Sequence, residues 1–213
     1  MANMLLSALR ASLVTFVLCG LIYPLALTGL AQLLLPFQAN GSLQHGPDGA
    51  VIGSRLIGQQ WDDPAWFHGR PSATTAADPN DPAKTVAAPY NAAKSAGSNL
   101  GPTSKELAER LAQDRKAIEA AQPELAGGKL PADMLTASAS GLDPHISPAN
   151  AHLQAARVAR ARGIPVVQID ALVDRHLTGR SLGVFGEPRV NVLALNLALA
   201  RMQKDTARKQ TGN

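Results

Sequence analysis

The sequence holds a single cysteine, Cys19, so no disulfide can close within one chain. Any folded domain must therefore be held by its own core or by a partner. Aromatic residues make up 4% of the chain and charged residues 17%, without interleaving of basic and aromatic side chains. That composition speaks against a nucleic-acid surface. The H-E-x-x-H and paired-cysteine patterns that hold zinc are missing, as are the G-x-S-x-G nucleophile elbow and any internal repeat. The formal net charge of +4 and the pI near 9.5 come from scattered Arg and Lys, several in the last dozen residues.

Charge is also missing from Ala11 to Leu35, and here the absence is informative. About 20 largely apolar residues suffice for a helix to cross the hydrocarbon layer, where lipid cannot satisfy an exposed backbone. Pro24 would kink such a helix without forbidding it. A cleaved signal peptide has a shorter apolar core ending at small residues. In this chain the small residues Thr28, Gly29 and Ala31 sit inside the run, and bulky Leu18 before Cys19 makes no lipidation box. The expectation is a retained anchor, 11–35. Arg10 and the amino terminus are the positive charges before it, and none follows until Arg55. The positive-inside bias then puts residues 1–10 in the cytoplasm and 36–213 outside.

Beyond the span, 36–49 reads as a polar connector, 50–202 as the outer domain and 203–213 as a polar, frayed tail. Ala50 to Gln59 is a strand candidate between glycines. Trp61 to Phe67 holds both tryptophans and is expected to anchor the core. Pro71 to Pro102 is dense in Pro, Ala, Ser, Thr, Asn and Gly, which predicts a long loop. Thr103-Ser104-Lys105-Glu106 reads as a capping box, with Thr103 as cap, opening a helix over 104–121 with Leu107, Leu111 and Ile118 on one face. Pro123 and Gly127-Gly128 end it, and a short helix is expected near Pro131 to Leu135. Ser147-Pro148 starts the next helix, with Ala149, Leu153 and Ala156 facing inward, its arginines toward the C-terminal dipole, and Gly163 as stop. Further helices are expected over 165–176, with Val166, Ile169, Leu172 and Val173 inward, and over 190–202, with Leu193, Leu197 and Ala200 inward. The fold class expected is a single N-terminal transmembrane helix plus a small α/β (α+β) extracytoplasmic domain, helix-rich with a short sheet.

The stretch SGLDPHISPANAH, residues 140–152, brings an acid, imidazoles and a hydroxyl close together. A metal site from Asp143, His145 and His152 lacks the tighter spacing zinc sites show. A Ser-His-Asp hydrolase draws its members from separated parts of a chain, so adjacency is not its mark. Backbone needs explain more: Asp143 before Pro144 suits an Asx turn, and Ser147 caps a helix. His145 has no local duty in that scheme and is the side chain expected to touch a neighbouring segment or subunit. Gly97 to Lys105, with Ser98, Asn99 and Gly101, runs into a helix N-terminus. Pro102 removes an amide and no Gly-Lys-Ser ending follows, so it is a poor phosphate cradle. His68 with Arg70, and Glu187-Pro188-Arg189, read either as hydrogen-bonded turns or as anion contacts.

Together these stretches resemble one family, the C subunit of the bacterial Kdp potassium-transporting P-type ATPase. The resemblance is carried by Phe67-His68-Gly69-Arg70-Pro71-Ser72, by Tyr90-Asn91 with SAGSNLGP (95–102), and by Asp143-Pro144-His145-Ile146-Ser147-Pro148-Ala149. Leu182-Gly183 with Gly186-Glu187-Pro188-Arg189, and Val190 to Leu199 with Asn191 and Asn196, complete it. These stand in family order along nearly the whole chain, behind one span. Ala73 to Pro89 and Arg175 to Thr178 are looser than the family pattern. The resemblance implies a non-catalytic accessory subunit in potassium transport, in the bacterial inner membrane and in contact with lipid. Its partners would be a channel-like potassium-translocating subunit, a P-type ATP-hydrolysing subunit and a small single-span subunit. It implies no firmly bound cofactor, with ATP-binding reached through the complex in a catalytic-chaperone role. Candidate partner-contact residues are His68, Arg70, Ser98, Asn99, Gly101, Asp143, His145, Ser147, Asn191 and Asn196. The rival readings are a membrane-anchored extracytoplasmic enzyme or metal-binding protein using Asp143 and His145, and a nucleotide-binding chaperone on the cytoplasmic side.

Overall fold

A computed structural model describes residues 1–46 and 48–211, with side chains as far as residue 203. The chain divides into two units, Met1–Ile52 and Gly53–Asn213.

In the first unit, α1 (Ala2–Phe16) runs through a π-helical turn, Val17–Ile22, into α2 (Tyr23–Leu34). The resulting helix, Ala2–Leu34, is long and apolar enough to cross a membrane, and none of its residues is buried. It starts well before Ala11, because Met4, Leu5, Leu6 and Leu9 add further apolar residues on the far side of Arg10. Pro24 explains the π turn. Proline offers no amide to the preceding turn and its ring crowds the carbonyl four residues back. Widening the turn relieves that clash, and the Tyr23 amide reaches back to the Leu18 carbonyl. The connector is less plain than its composition suggests. It forms a one-turn helix, α3 (Pro36–Ala39), and a first strand, β1 (Leu43–His45), which pairs with β2 (Val51–Ser54).

The second unit builds its core from three helices and one small sheet. In α6 (Pro148–Arg162), Ser147 caps the N-terminus by accepting from the Asn150 amide, and Pro148 occupies the first turn. Gly163 stops it at φ +64°, a left-handed conformation that glycine adopts without strain. Its small residues Ala151, Ala155 and Ala159 are buried, letting α7 (Val166–Arg175) approach closely. The last helix, α8 (Val192–Thr211), buries Val192, Leu195, Asn196 and Leu199, spaced for one helical face. The antiparallel sheet runs β5-β7-β6, with β7 (Arg189–Asn191) between β5 (His145–Ile146) and β6 (Leu177–Thr178). His145 lies opposite Asn191, and Leu177 opposite Val190. Phe67 is fully buried among these elements, with Trp61 and Trp66 packed at the edge. Each large apolar side chain removed from water in this way stabilises the fold by roughly 1.5–3 kcal/mol.

Several expectations need correcting. The loop over 71–102 contains a hairpin, β3 (Thr75–Ala77) with β4 (Thr85–Ala87). Helix α4 (Lys105–Ala121) is capped by Ser104, whose hydroxyl accepts from Leu107, and not by Thr103. No residue of α4 is buried. Its rungs Lys105–Glu109, Arg110–Asp114 and Arg115–Glu119 support it along its own length. Ala149 is exposed, so the inward face of α6 is rotated from the one expected. Likewise Val166 is 42% exposed, and Leu197 and Ala200 are half-buried. The tail from Gln203 continues α8 through Thr211; residues 212 and 213 lie outside the described residues.

Candidate functional site

Part of the motif set meets at the extended segment 66–72, which is held from both sides by side-chain amides. Asn196 of α8 accepts from the Phe67 amide at 2.9 Å and donates to the Phe67 carbonyl at 3.0 Å. Gln154 of α6 accepts from the His68 amide at 2.8 Å and donates to the His68 carbonyl at 3.0 Å. Two buried amide side chains thus do for this strand-like segment what neighbouring strands would do in a sheet.

Below them lies a polar layer that α6 turns inward. Asn150, Gln154 and Arg157 are each at most 6% exposed and sit at i, i+4 and i+7. Asn150 Oδ1 accepts from Gln154, and Arg157 donates to Gln154 and to the Pro64 and Trp66 carbonyls. Burial pushes the Arg157 guanidinium down to about 10, against the pull of Asp63. From the sequence Arg157 is expected only to complement the C-terminal dipole of α6, and Asn150 and Gln154 carry no expectation. The signal that could have found them is their shared spacing with Ala151, Ala155 and Val158.

A second cluster joins Arg70 to the 140–147 turn. Arg70 meets Asp143 at 3.2 Å and donates to the Thr136 and Ala137 carbonyls. Asp143 Oδ1 accepts from the His145 amide at 3.0 Å, the Asx turn expected, and His145 Nδ1 stands 3.4 Å away. Burial acts to raise the Asp143 pKa. The hydrogen bonds from the His145 ring and amide, with the Arg70 charge, outweigh it and hold the carboxyl below its usual range. Ser147 donates its hydroxyl to Asp133 at 2.9 Å, while Asp133 also receives the Ser147 amide and the Asn150 side chain. A carboxylate at the start of α6 is favoured by the helix dipole. Arg70, Asp143, His145 and Ser147, with Arg189, line a shallow cavity of about 430 Å³. A larger one of about 770 Å³ is lined by His68, Arg70, Tyr90 and Ile118, among others.

Tyr90 ties the loops in. Its hydroxyl donates to the Arg70 carbonyl at 2.7 Å, and its amide to Ser72 Oγ at 2.9 Å. Burial and the neighbouring Asp143 raise the Tyr90 pKa to about 12.

The two enzymatic readings find no support in this geometry. Ser147 Oγ points its proton at Asp133 and accepts the Asn150 amide, so it is committed to capping and not to His145. His152 lies on the far side of α6, where its two ring nitrogens face Asp170 at 2.9 Å and Asp174 at 3.3 Å on α7. Among the described residues no three His, Cys, Asp or Glu side chains are grouped to hold a metal ion. Ser98, Asn99 and Gly101 are exposed in a loop apart from both clusters, Asn99 at φ +53°. Asn191 sits inside, donating to the Arg55 carbonyl and capping α8 at Ala194.

Comparison with known proteins adds to these observations. A family model described as "K+-transporting ATPase, c chain" matches residues 5–201. This chain belongs to the KdpC family. A "Potassium-transporting ATPase KdpC subunit" of Bradyrhizobium diazoefficiens is 59% identical over 189 residues, 89% of this chain and 92% of that one. One of Rhodopseudomonas palustris is 58% identical, covering 90% and 94%. One of Methylorubrum extorquens is 55% identical, covering 94% and 100%. The KdpC match runs through the apolar helix, both polar clusters and the first half of α8.

Proposed function

We propose that this chain is the accessory, non-catalytic subunit of an ATP-driven potassium uptake complex. On this reading its span lies in the bacterial inner membrane, residues 1–10 are cytoplasmic and 36–213 are extracytoplasmic. The observation that carries the proposal is the family match over residues 5–201, with the apolar helix at its start. Residues 11–35 supply the membrane-spanning part, and 50–202 form a domain held near the ion entrance of the channel-like subunit. There it assembles and stabilises that subunit, the P-type ATP-hydrolysing subunit and the small single-span subunit.

The motif residues support a scaffold role. Arg70, Asp143, Ser147, Asn191 and Asn196 use their polar atoms on one another, on Asp133 and on the backbone. What they build is a fixed outer surface, on which His68, His145 and the loop of Ser98, Asn99 and Gly101 are contact candidates. An extracytoplasmic domain acts on ATP affinity only indirectly, through the complex, as a catalytic chaperone at a distance.

Affinity purification of the full chain from membranes tests the core of this reading. Recovery of a potassium-translocating and an ATP-hydrolysing subunit supports it; a pump that assembles and transports normally without this chain overturns it. A reporter fused after Asn213 tests the orientation, and a cytoplasmic reporter would reverse it.

A further inference from the structure

Between β6 and β7 the chain folds into a closed turn whose geometry serves exposure and not burial. The Ser181 amide donates to the Phe185 carbonyl at 2.8 Å, and the Phe185 amide to the Ser181 carbonyl at 2.9 Å. Inside that bridge Leu182 takes φ +53° and Gly183 φ +75°. A leucine in the left-handed region costs on the order of 1 kcal/mol. The outcome of that strain is three large apolar side chains held out in water: Leu182 is 90% exposed, Val184 70% and Phe185 66%. Arg180 Nη2 closes the foot of the turn on both oxygens of Glu187, at 2.8 and 2.7 Å. From there Pro188 and Arg189 lead into β7, the central strand, where Val190 is fully buried.

We infer that residues 180–187 form a preorganised plug that seats in an apolar socket on another protein subunit of the transport complex. The inference rests on the proposed function for its partner. A contiguous exposed apolar tip marks an interaction site. Two features favour a protein over a lipid surface. Membrane-binding tips draw on free cations for anionic headgroups, whereas of the two arginines flanking this tip Arg180 is closed on Glu187 and Arg189 lines the cavity that holds Asp143 and His145. A hydrogen-bonded turn also gains most against a shaped socket, because the ordering cost of binding is met in advance. A second copy of this chain would have to receive the tip on a different surface, a head-to-tail contact that does not close into a dimer. Three side chains are too few for a whole stable interface, so the plug serves as its anchor.

The test co-expresses the full chain with the channel-like, ATP-hydrolysing and single-span subunits, the ATP-hydrolysing subunit tagged. The variant is Leu182→Asn with Phe185→Ser; asparagine tolerates the left-handed conformation, so the turn is retained. The control is Val167→Ser, which removes a side chain that is 74% exposed elsewhere. The expected result is at least a roughly tenfold fall in the double variant recovered per tagged subunit. The control should be recovered like wild type, and the variant chain alone should unfold at the wild-type temperature. Wild-type recovery of the double variant overturns the plug. Failure of the wild-type chain itself to co-purify overturns the complex-subunit reading instead. In a third arm, Leu182→Cys in a Cys19→Ser background carries a fluorophore, reconstituted without partners in phosphatidylglycerol nanodiscs. Quenching there by nitroxide-labelled lipid would assign the tip to the membrane and also overturn the inference.

Discussion

Asn196 and Phe67, 129 positions apart, exchange both backbone-type hydrogen bonds across the centre of the second unit. Asn196 is fully buried, as is Phe67, so neither of the Phe67 backbone groups has water to fall back on. Asn196→Ala leaves a buried amide and a buried carbonyl unpaired. The expected loss is about 3 kcal/mol or more, and Asn196→Asp should cost at least as much by burying a charge. Thermal unfolding of the full chain in detergent reads it. A variant within experimental error of wild type would remove the amide clamp from the list of what holds the fold.

Gly141 is held at φ +68°, with its α-carbon pressed between two loops. A β-carbon there would stand 2.6 Å from the Ala96 carbonyl oxygen and 2.5 Å from Thr74 Cγ2. The Ala96 oxygen is backbone, fixed by the Ala96 amide bonding to Ser140 at 3.0 Å. Gly141→Ala should therefore destabilise the chain by more than about 1 kcal/mol, from the conformation and the clash together. Gly101→Ala is the control, since nothing stands within 4 Å of that site and its φ is unremarkable. Equal unfolding temperatures for the two variants would contradict the packing described.

Local signals were the legible ones. Ser147-Pro148 and Gly163 bound α6 where their capping chemistry requires, and the charge-free run marked the apolar helix. Asp143 makes its Asx turn because that bond spans only two residues. The polar clusters were not legible, because Arg70–Asp143 and Phe67–Asn196 join residues 73 and 129 positions apart. Arg157 was misread for a related reason. Placed late in a helix, it satisfies the dipole rule equally well, and only the Pro64 and Trp66 carbonyls reveal that it is buried. The hairpin over Thr75–Ala87 was hidden because its strands are three residues each, too short for an alternation to register.

His68 makes a pH test of the 66–72 segment. Its Nε2 lies 3.1 Å from the Asp63 carbonyl, an acceptor only, so that nitrogen carries the proton. Burial, then the Arg157 charge, lower its pKa from the ordinary 6.5, with Asp63 and Asp62 opposing. The folded imidazole binds a proton more weakly than the unfolded one. The stabilisation is thus complete above the unfolded value and declines as pH falls below about 6.5 toward the folded value. Stability of His68→Gln relative to wild type should improve as pH drops from 7.5 to 5 (roughly the imidazole range). A difference that stays constant over that window would mean that His68 does not titrate with folding.

Asp143 has the same sign by a different route. Its folded pKa lies below the ordinary 3.8 despite burial, because the His145 ring and amide and the Arg70 charge favour the carboxylate. The stabilisation is therefore fully present above the unfolded pKa and lost as pH falls through the folded one. Asp143→Asn keeps the shape but removes the charge that Arg70 meets, while Arg70 retains the Thr136 and Ala137 carbonyls. The variant should be less stable than wild type at pH 7, and the gap should close as pH falls below about 4. Both partners are partly exposed, so the gap at pH 7 is expected to be modest, about 1 kcal/mol. Urea unfolding of the two full-length chains across that range measures it. A gap that widens in acid would mean that Asp143 is protonated in the folded chain, and the Arg70–Asp143 pair would lose its place in the frame that presents His145.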